Sequence, residues 1–274
     1  MAVRLAYNTN GFAHHSLDEC FDILAELGYV GVSLTLDVHH LHPFEVTPRE
    51  LADTRRRLEA LGLAATVETG ARFLLDSRRK HHPPLIAREG AQRRVRFLER
   101  SMEIASALGA PVVTFSSGIP DPEEERSEQW SRLVDRCAHL SEYAASVGVT
   151  ACFEPEPDFL VETIDEFERL RDAVSHRAFG LTLDLGHVHL LETCSIADCI
   201  ERCRDDLRHV HLEDMRRPVH NHLAIGEGEI DFAPALQALD RHFDGLTALE
   251  LSRDSHRAPE VAANAISLLQ KVVG

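Results

Sequence analysis

Eight short apolar runs alternate with eight longer segments of helical periodicity along the 274 residues. The runs are residues 3–7, 31–36, 64–68, 112–116, 150–154, 180–184, 208–212 and 246–251. The periodic segments lie near 17–27, 48–61, 89–108, 123–147, 164–173, 196–203, 232–243 and 259–272. A helix after each strand carries the chain back to the start of the next, so the strands run parallel and helices cover them. A closed barrel and an open doubly wound sheet both satisfy this order. Eight even units, without a linker, a low-complexity stretch or room for a second domain, favour the barrel, which typically takes about 250 residues. The predicted fold class is α/β, a (β/α)8 TIM barrel forming one domain over residues 1–274.

Local chemistry marks the element boundaries. Ser16 with Glu19 and Thr163 with Glu166 fit capping boxes, and Thr47 before Pro48 fits an N-cap followed by a first-turn proline. Four helical segments run into glycine, at Gly28, Gly62, Gly109 and Gly148. Two strand-to-helix connections are long, 37–47 and 70–88. In a barrel such connections surround the mouth where chemistry occurs.

Charge narrows the partners. With 29 basic and 45 acidic side chains the net charge is −16, a field that repels phosphate backbones and anionic lipid. No apolar run reaches the ~18 residues of a membrane span, and the first residues lack the apolar stretch of a secretory signal. The six cysteines contain no CxxC pair, and a chain of this length needs no disulfide framework. These features predict a reduced, cytoplasmic protein without nucleic-acid or membrane partners, with homo-oligomerisation left open.

Polar residues at the C-terminal ends of strands carry the chemical information. Glu68 ends the third strand in TVETG, Glu154 the fifth in ACFEPEP and Asp184 the sixth in LTLDLGH. His211 lies near the end of the seventh in HVHLED, and Glu250 near the end of the eighth in ALELS. A single strand-end carboxylate is more often a helix cap or an ion-pair partner. Glu154, Asp184, His211 and Glu250, on four successive strands, are different, because strand ends converge on one mouth and that much buried negative charge requires a cation. Three carboxylates and an imidazole suit one divalent ion, Mn²⁺, Mg²⁺, Co²⁺ or Zn²⁺.

The motifs FEPEP, LDLGH, HVHLED followed by IGEGEIDF, and LELS, in this order, resemble the xylose isomerase-like barrel superfamily over nearly the whole chain. That superfamily includes sugar-phosphate isomerases and epimerases, ketose 3-epimerases, inosose-processing enzymes and endonuclease IV-like repair enzymes. The resemblance implies that Glu154, Asp184, His211 and Glu250 ligate the metal, Mn²⁺ first among the candidates, and that Glu154 and Glu250 also move protons. It implies substrate contacts for His187, three residues after Asp184, and for Arg217, six after His211. Glu68, Glu156, Arg72 and His222 complete the substrate-binding candidates. The implied activity is a metal-dependent isomerase or epimerase of a small polar sugar, keto-sugar or cyclitol, through a metal-stabilised enediolate.

Two alternatives stay open. One is a hydrolase of the endonuclease IV type, whose further zinc-binding stretch resembles VHNHLAIGEGE here. His220 stands in an aspartate's place, and Ser116 near that of a missing histidine. The other is a lyase or dehydratase on the same scaffold. The cations Arg72, Arg78, Arg79 and Lys80, with His81 and His82, form either a solvated loop or a mouth wall for an anionic substrate group. His39, His40 and His42 read as an exposed loop, Cys194, Cys199 and Cys203 as ordinary helix residues, and Trp130 as packing.

Overall fold

The computed structural model describes residues 3–70 and 72–273. Eight parallel strands close into a barrel: β1 (Arg4–Asn8), β2 (Gly31–Thr35), β3 (Ala64–Glu68), β4 (Val112–Phe115), β5 (Thr150–Phe153), β6 (Phe179–Asp184), β7 (Leu207–Leu212) and β10 (Leu246–Leu249). Each pairs with its neighbour in sequence, and β1 closes the ring against β10, with Ala6 opposite Ala248. Between β7 and β10 an antiparallel hairpin, β8 (Asp214–Arg216) and β9 (Val219–Leu223), stands apart from the barrel.

Helices α1 (Leu17–Leu27), α2 (Pro48–Leu61), α3 (Ala91–Leu108), α4 (Arg126–Val147) and α5 (Ile164–Val174) follow the first five strands. Two helices, α6 (Leu185–Leu191) and α7 (Ile196–Cys203), follow β6; α8 (Phe232–His242) and α9 (Ala258–Val273) complete the chain. Ser16 with Glu19 and Thr47 with Glu50 form full capping boxes. Thr163 caps α5 as expected, but no reciprocal bond forms, because Glu166 accepts from the Glu162 amide at 2.8 Å instead.

Strand alternation sorts the residues into two sets. Val67, Phe115, Phe153, Leu183, Leu212 and Leu249 join the main core, which includes the inner faces of the helices. Phe153 meets Phe115 edge-on with ring centroids 5.5 Å apart, and Phe179 stacks on Phe167 of α5 at 6.0 Å. The other parity faces the barrel axis. It carries Ala6, Leu246 and Ala248, which form a small cluster of their own. It also carries Glu68, Asp184 and His211, with the buried Thr66, Thr182 and His209 one layer below. The alternation that buries the helix-facing core therefore aims the polar strand ends into the mouth. Ser116, Glu154, Glu250 and Leu251, read from sequence as strand residues, lie just beyond the paired strands.

Two close approaches tie this end together. Asp214 accepts amide bonds from Gly226 (2.9 Å), Gly228 (2.9 Å) and Ile230 (3.1 Å), which binds the HLED and IGEGEI segments to one another. A Cβ on Gly228 would lie 2.2 Å from Asp214 Oδ1, and one on Gly186 would lie 2.1 Å from Glu213 Oε1. At Gly228 the Met215 backbone nitrogen, 2.6 Å from that Cβ, also excludes a side chain, whereas a side chain at Gly186 would force Glu213 to move.

Candidate active site

Glu154, Asp184, His211 and Glu250 converge on one point at the barrel mouth, each offering a ligand atom within 4.8 Å of the others. His211 is fully buried at the centre of the set. Its Nδ1 lies 2.9 Å from Glu154 Oε1 and 3.4 Å from Glu250 Oε2, and its Nε2 lies 3.2 Å from Glu68 Oε2. Asp184 caps α6, its Oδ1 accepting the His187 amide at 2.9 Å, while its buried Oδ2 has no hydrogen-bond partner. Asn10, in the turn after β1, donates from Nδ2 to Glu250 Oε1 at 3.1 Å.

Burial and mutual repulsion distort the acid–base behaviour of this set. Burial pushes Glu154 up to about 8, against the opposing pull of His211. Burial, Glu154 and Glu250 raise Glu156 well above its ordinary value. Burial and Asp184 do the same to Glu213, which lies beside Asp184. For Asp184 and Glu250 burial works in the same direction, but nearby imidazoles outweigh it and hold both carboxyls low. His211 shows the complement: burial opposes its charge, yet Glu154 and Glu250 lift its pKa well above the ordinary histidine range.

These features test the fit to a cation. A protonated His211 is one positive charge amid several carboxylates, and the buried Asp184 Oδ2 makes no hydrogen bond, with His187 Nε2 3.7 Å away. Buried anions without compensation are costly. Three carboxylate ligands and one imidazole, with Glu68 at the second ring nitrogen, match a divalent-ion site with an orienting carboxylate behind its histidine.

A cavity of about 570 Å³ opens above the cluster, within the range of small-ligand sites. It is lined by Glu68, Glu154, Glu156, His187, His222 and Glu250 from the barrel side. Asp37, His39 and His40 of the 37–47 connection and Arg72, Lys80 and His81 of the 70–88 connection line it as well. Both long connections thus meet at one mouth; Ala71 lies outside the described residues.

His187 Nδ1–H donates to the Pro155 carbonyl at 3.0 Å, which leaves Nε2 as the lone-pair nitrogen. That nitrogen lies 3.0 Å from His220 Nε2. His187, His220 and His222 form a second group able to offer converging ligand atoms, beside the first.

Arg217 is placed elsewhere. Its side chain is exposed and donates to the His189 carbonyl at 2.6 Å, a bond that holds it against α6 and away from the residues lining the cavity. Of the loop histidines, His40 is buried and its Nε2–H donates to the His15 carbonyl at 2.9 Å, rather than standing in solvent. Cys199 and Cys203 lie in α7 as expected, but Cys194 lies in the turn between α6 and α7 rather than in a helix, its sulfur 2.9 Å from that of Cys199. Trp130 packs as expected, beneath the Arg169 guanidinium at 4.3 Å.

Sequence reasoning missed Asn10, Glu213 and Arg94. Asn10 lies in the turn after the first strand and Glu213 in the HLED stretch that ends the seventh, so position was the available signal. Arg94 lies in a helix among other arginines, and nothing in the sequence distinguishes it.

Comparison with known proteins follows the same lines. A profile described as the xylose isomerase-like TIM barrel matches residues 21–272. An inosose dehydratase of Geobacillus thermodenitrificans is 26% identical over 145 residues, 46% of this chain and 48% of the relative. A rhizopine catabolism protein of Rhizobium meliloti is 26% identical over 226 residues, 80% of this chain and 63% of the relative. The match therefore spans only about half to two-thirds of these curated relatives. The crystal structure of a D-allulose 3-epimerase from Methylomonas sp. superposes with a TM-score of 0.77 at 18% identity, covering 100% of both chains. Among the described residues no helix is long and apolar enough to cross a membrane. With its barrel, its strand-end motifs and a profile match over most of its length, the chain belongs to the xylose isomerase-like TIM-barrel family.

Proposed function

We propose that this chain is a divalent-metal-dependent isomerase or epimerase of a sugar, keto-sugar or cyclitol. The observation that carries the reading is the pair Glu154 and Glu250, whose carboxylates approach His211 Nδ1 at 2.9 and 3.4 Å where the cavity meets the cluster. Two carboxylates bordering one substrate space can remove a proton from a carbon and return it at another position or face. Glu154, Asp184, His211 and Glu250 would hold the ion, Mn²⁺ first, with Mg²⁺, Co²⁺ or Zn²⁺ as alternatives. When bound, the ion supplies positive charge against developing enediolate oxygens.

The remaining roles belong to the protein. Glu154 and Glu250 take and return the proton. His187, buried and with its pKa drawn down to about 4 chiefly by burial, is neutral and positions substrate oxygen. Glu156 and His222 face the same space and bind substrate hydroxyls, while Glu68 fixes the His211 ring. Arg217 reaches substrate only if its bond to the His189 carbonyl is released.

A lyase or dehydratase is the second reading, favoured by the relatives named inosose dehydratase. Elimination begins with the same proton abstraction, so the residues keep their roles. The net charge of −16 disfavours the endonuclease reading. Free cysteines fit a reducing, cytoplasmic compartment, and the proposed sugar or cyclitol substrate fits carbohydrate metabolism.

A solvent-deuterium exchange screen of ketoses, their phosphates and inososes with the Mn²⁺-loaded protein tests the proposal. Deuterium at a carbon beside the carbonyl is expected for at least one substrate class. Net loss of water, seen by mass spectrometry, would favour the dehydratase. No exchange in any class would overturn both readings.

A further inference from the structure

Among the described residues, one buried cation on the wall of the cavity lacks a counter-ion. Arg94, near the start of α3, is only 8% exposed yet lines the cavity. Its Nε donates to the Pro83 carbonyl at 3.1 Å, and Nη1 reaches the Thr69 carbonyl only at 3.5 Å. Among the described residues Nη2 has no acceptor, and no carboxylate pairs with the guanidinium. The Phe97 ring lies 5.7 Å away. Burial draws the Arg94 pKa down to about 10. In a protein with 45 acidic side chains, a buried arginine answered only by carbonyls is out of keeping with the usual pairing of buried charges.

Arg72 and Lys80 line the same cavity, and no ion pair engages either among the described residues. Their convergence is visible at His81, whose Nδ1–H donates to the Gly70 carbonyl at 2.6 Å. Burial first, then Lys80, Arg94 and Arg72, push the His81 pKa down to about 4. Arg79 in the same loop differs, since Asp76 holds it at 2.8 Å.

We infer that Arg94, Arg72 and Lys80 form an oxyanion subsite, and that the substrate carries a carboxylate or phosphate group remote from the carbons that react. A planar guanidinium with a free edge matches either group. The acidic floor at Glu154 and Glu250 repels an anion, so the two ends of the cavity orient such a substrate. The word substrate here rests on the isomerase reading; the anion site itself does not. If Arg94 served only to pin the 70–88 connection, its two carbonyl bonds would be the whole of its role.

Inorganic phosphate and acetate are the probes, titrated calorimetrically into the Mg²⁺-loaded full chain. Wild-type protein is expected to bind at least one of them in the millimolar range. Arg94→Met should weaken that binding tenfold or more with Mg²⁺ stoichiometry unchanged, and Arg94→Lys should weaken it less. Preference for phosphate identifies a sugar phosphate, and preference for acetate a sugar acid. Absence of binding to wild type, or Arg94→Met affinity within twofold of wild type, overturns the inference. Should Arg94→Met fail to fold, Arg72→Met with Lys80→Met, at positions that are not buried, carries the test. A threefold or greater loss supports the subsite, and a smaller change overturns it. Since turnover is not read, failure of the isomerase reading leaves this result intact.

Discussion

Glu68 Oε2 lies 3.2 Å from His211 Nε2, at the ring nitrogen opposite the one that faces Glu154. Glu68 is itself fixed, accepting from the Thr69 amide at 3.0 Å and from the Thr114 hydroxyl. A carboxylate behind a ligating histidine sets its tautomer and raises its basicity, and loss of such a partner typically costs about 10–100-fold in metal affinity. Glu68→Gln should therefore weaken Mn²⁺ binding by that order while the barrel melts normally. Titration of the apo-protein with Mn²⁺ measures it, and an unchanged affinity would reduce Glu68 to a structural hydrogen-bond acceptor.

Metal binding should depend on pH in a definite direction. Glu154 has an ordinary value of 4.5 and is raised to about 8 in the fold, so the folded metal-free chain retains a proton that the unfolded chain releases. That contribution to stability is complete below about 4.5 and is lost as pH rises toward about 8. Glu156, Glu213 and His211 are raised too and act with the same sign. Asp184 and Glu250 are lowered, so their contributions are lost only on the acid side of this window. A cation displaces the retained protons. Its stabilisation of the fold, measured as the rise in melting temperature with Mn²⁺, should grow from about pH 5.5 to about pH 8. Equal rises at both pH values would show that protons and metal do not compete.

The parts of the fold legible in sequence are those governed by period. Residues 17–27, 48–61 and 196–203 form helices with the bounds read from apolar spacing, and 64–68 forms its strand likewise. Strand ends were read too far where the site begins, because Glu154 and Glu250 follow apolar residues but leave the ladder to enter the mouth. The hairpin of β8 and β9 escaped notice because RRPVHNH has neither an apolar alternation nor a glycine-bearing turn. Helix α6 escaped because LGHVHLL, seven residues long, is too short to display a helical period. The candidate metal cluster was legible since each member lies at or next to the C-terminal end of a strand. Arg94 was not, because only the folded 70–88 connection brings its guanidinium to the cavity.

The IGEGEI segment answers to Asp214 rather than to substrate. A Cβ at Gly228 would meet Asp214 Oδ1 at 2.2 Å and the Met215 amide nitrogen at 2.6 Å, and backbone cannot step aside. Overpacking of this kind costs about 1–3 kcal/mol. Gly228→Ala should lose that much in denaturant unfolding. Asp214→Asn should lose a comparable amount, about 1–3 kcal/mol, since a side-chain amide offers one acceptor oxygen to the four backbone N–H groups, of Met215, Gly226, Gly228 and Ile230, that the two carboxylate oxygens accept. Wild-type stability in both variants would mean that this segment is not clamped as described.

The proton-transfer role proposed for Glu154 and Glu250 permits the sharpest test, because ligation and catalysis can be separated. A glutamine keeps one oxygen for a cation but cannot take a proton at neutral pH. General acid–base catalysis typically contributes about 10²–10⁴-fold, so Glu154→Gln and Glu250→Gln should each slow substrate–solvent hydrogen exchange by at least the lower figure. Metal content must be determined on the same samples, since His211 Nδ1 lies 2.9 Å from Glu154 and 3.4 Å from Glu250, and either change disturbs the cluster. A metal-replete Glu250→Gln protein exchanging at the wild-type rate would remove Glu250 from proton transfer. The same result for Glu154→Gln would leave the pair as ligands alone.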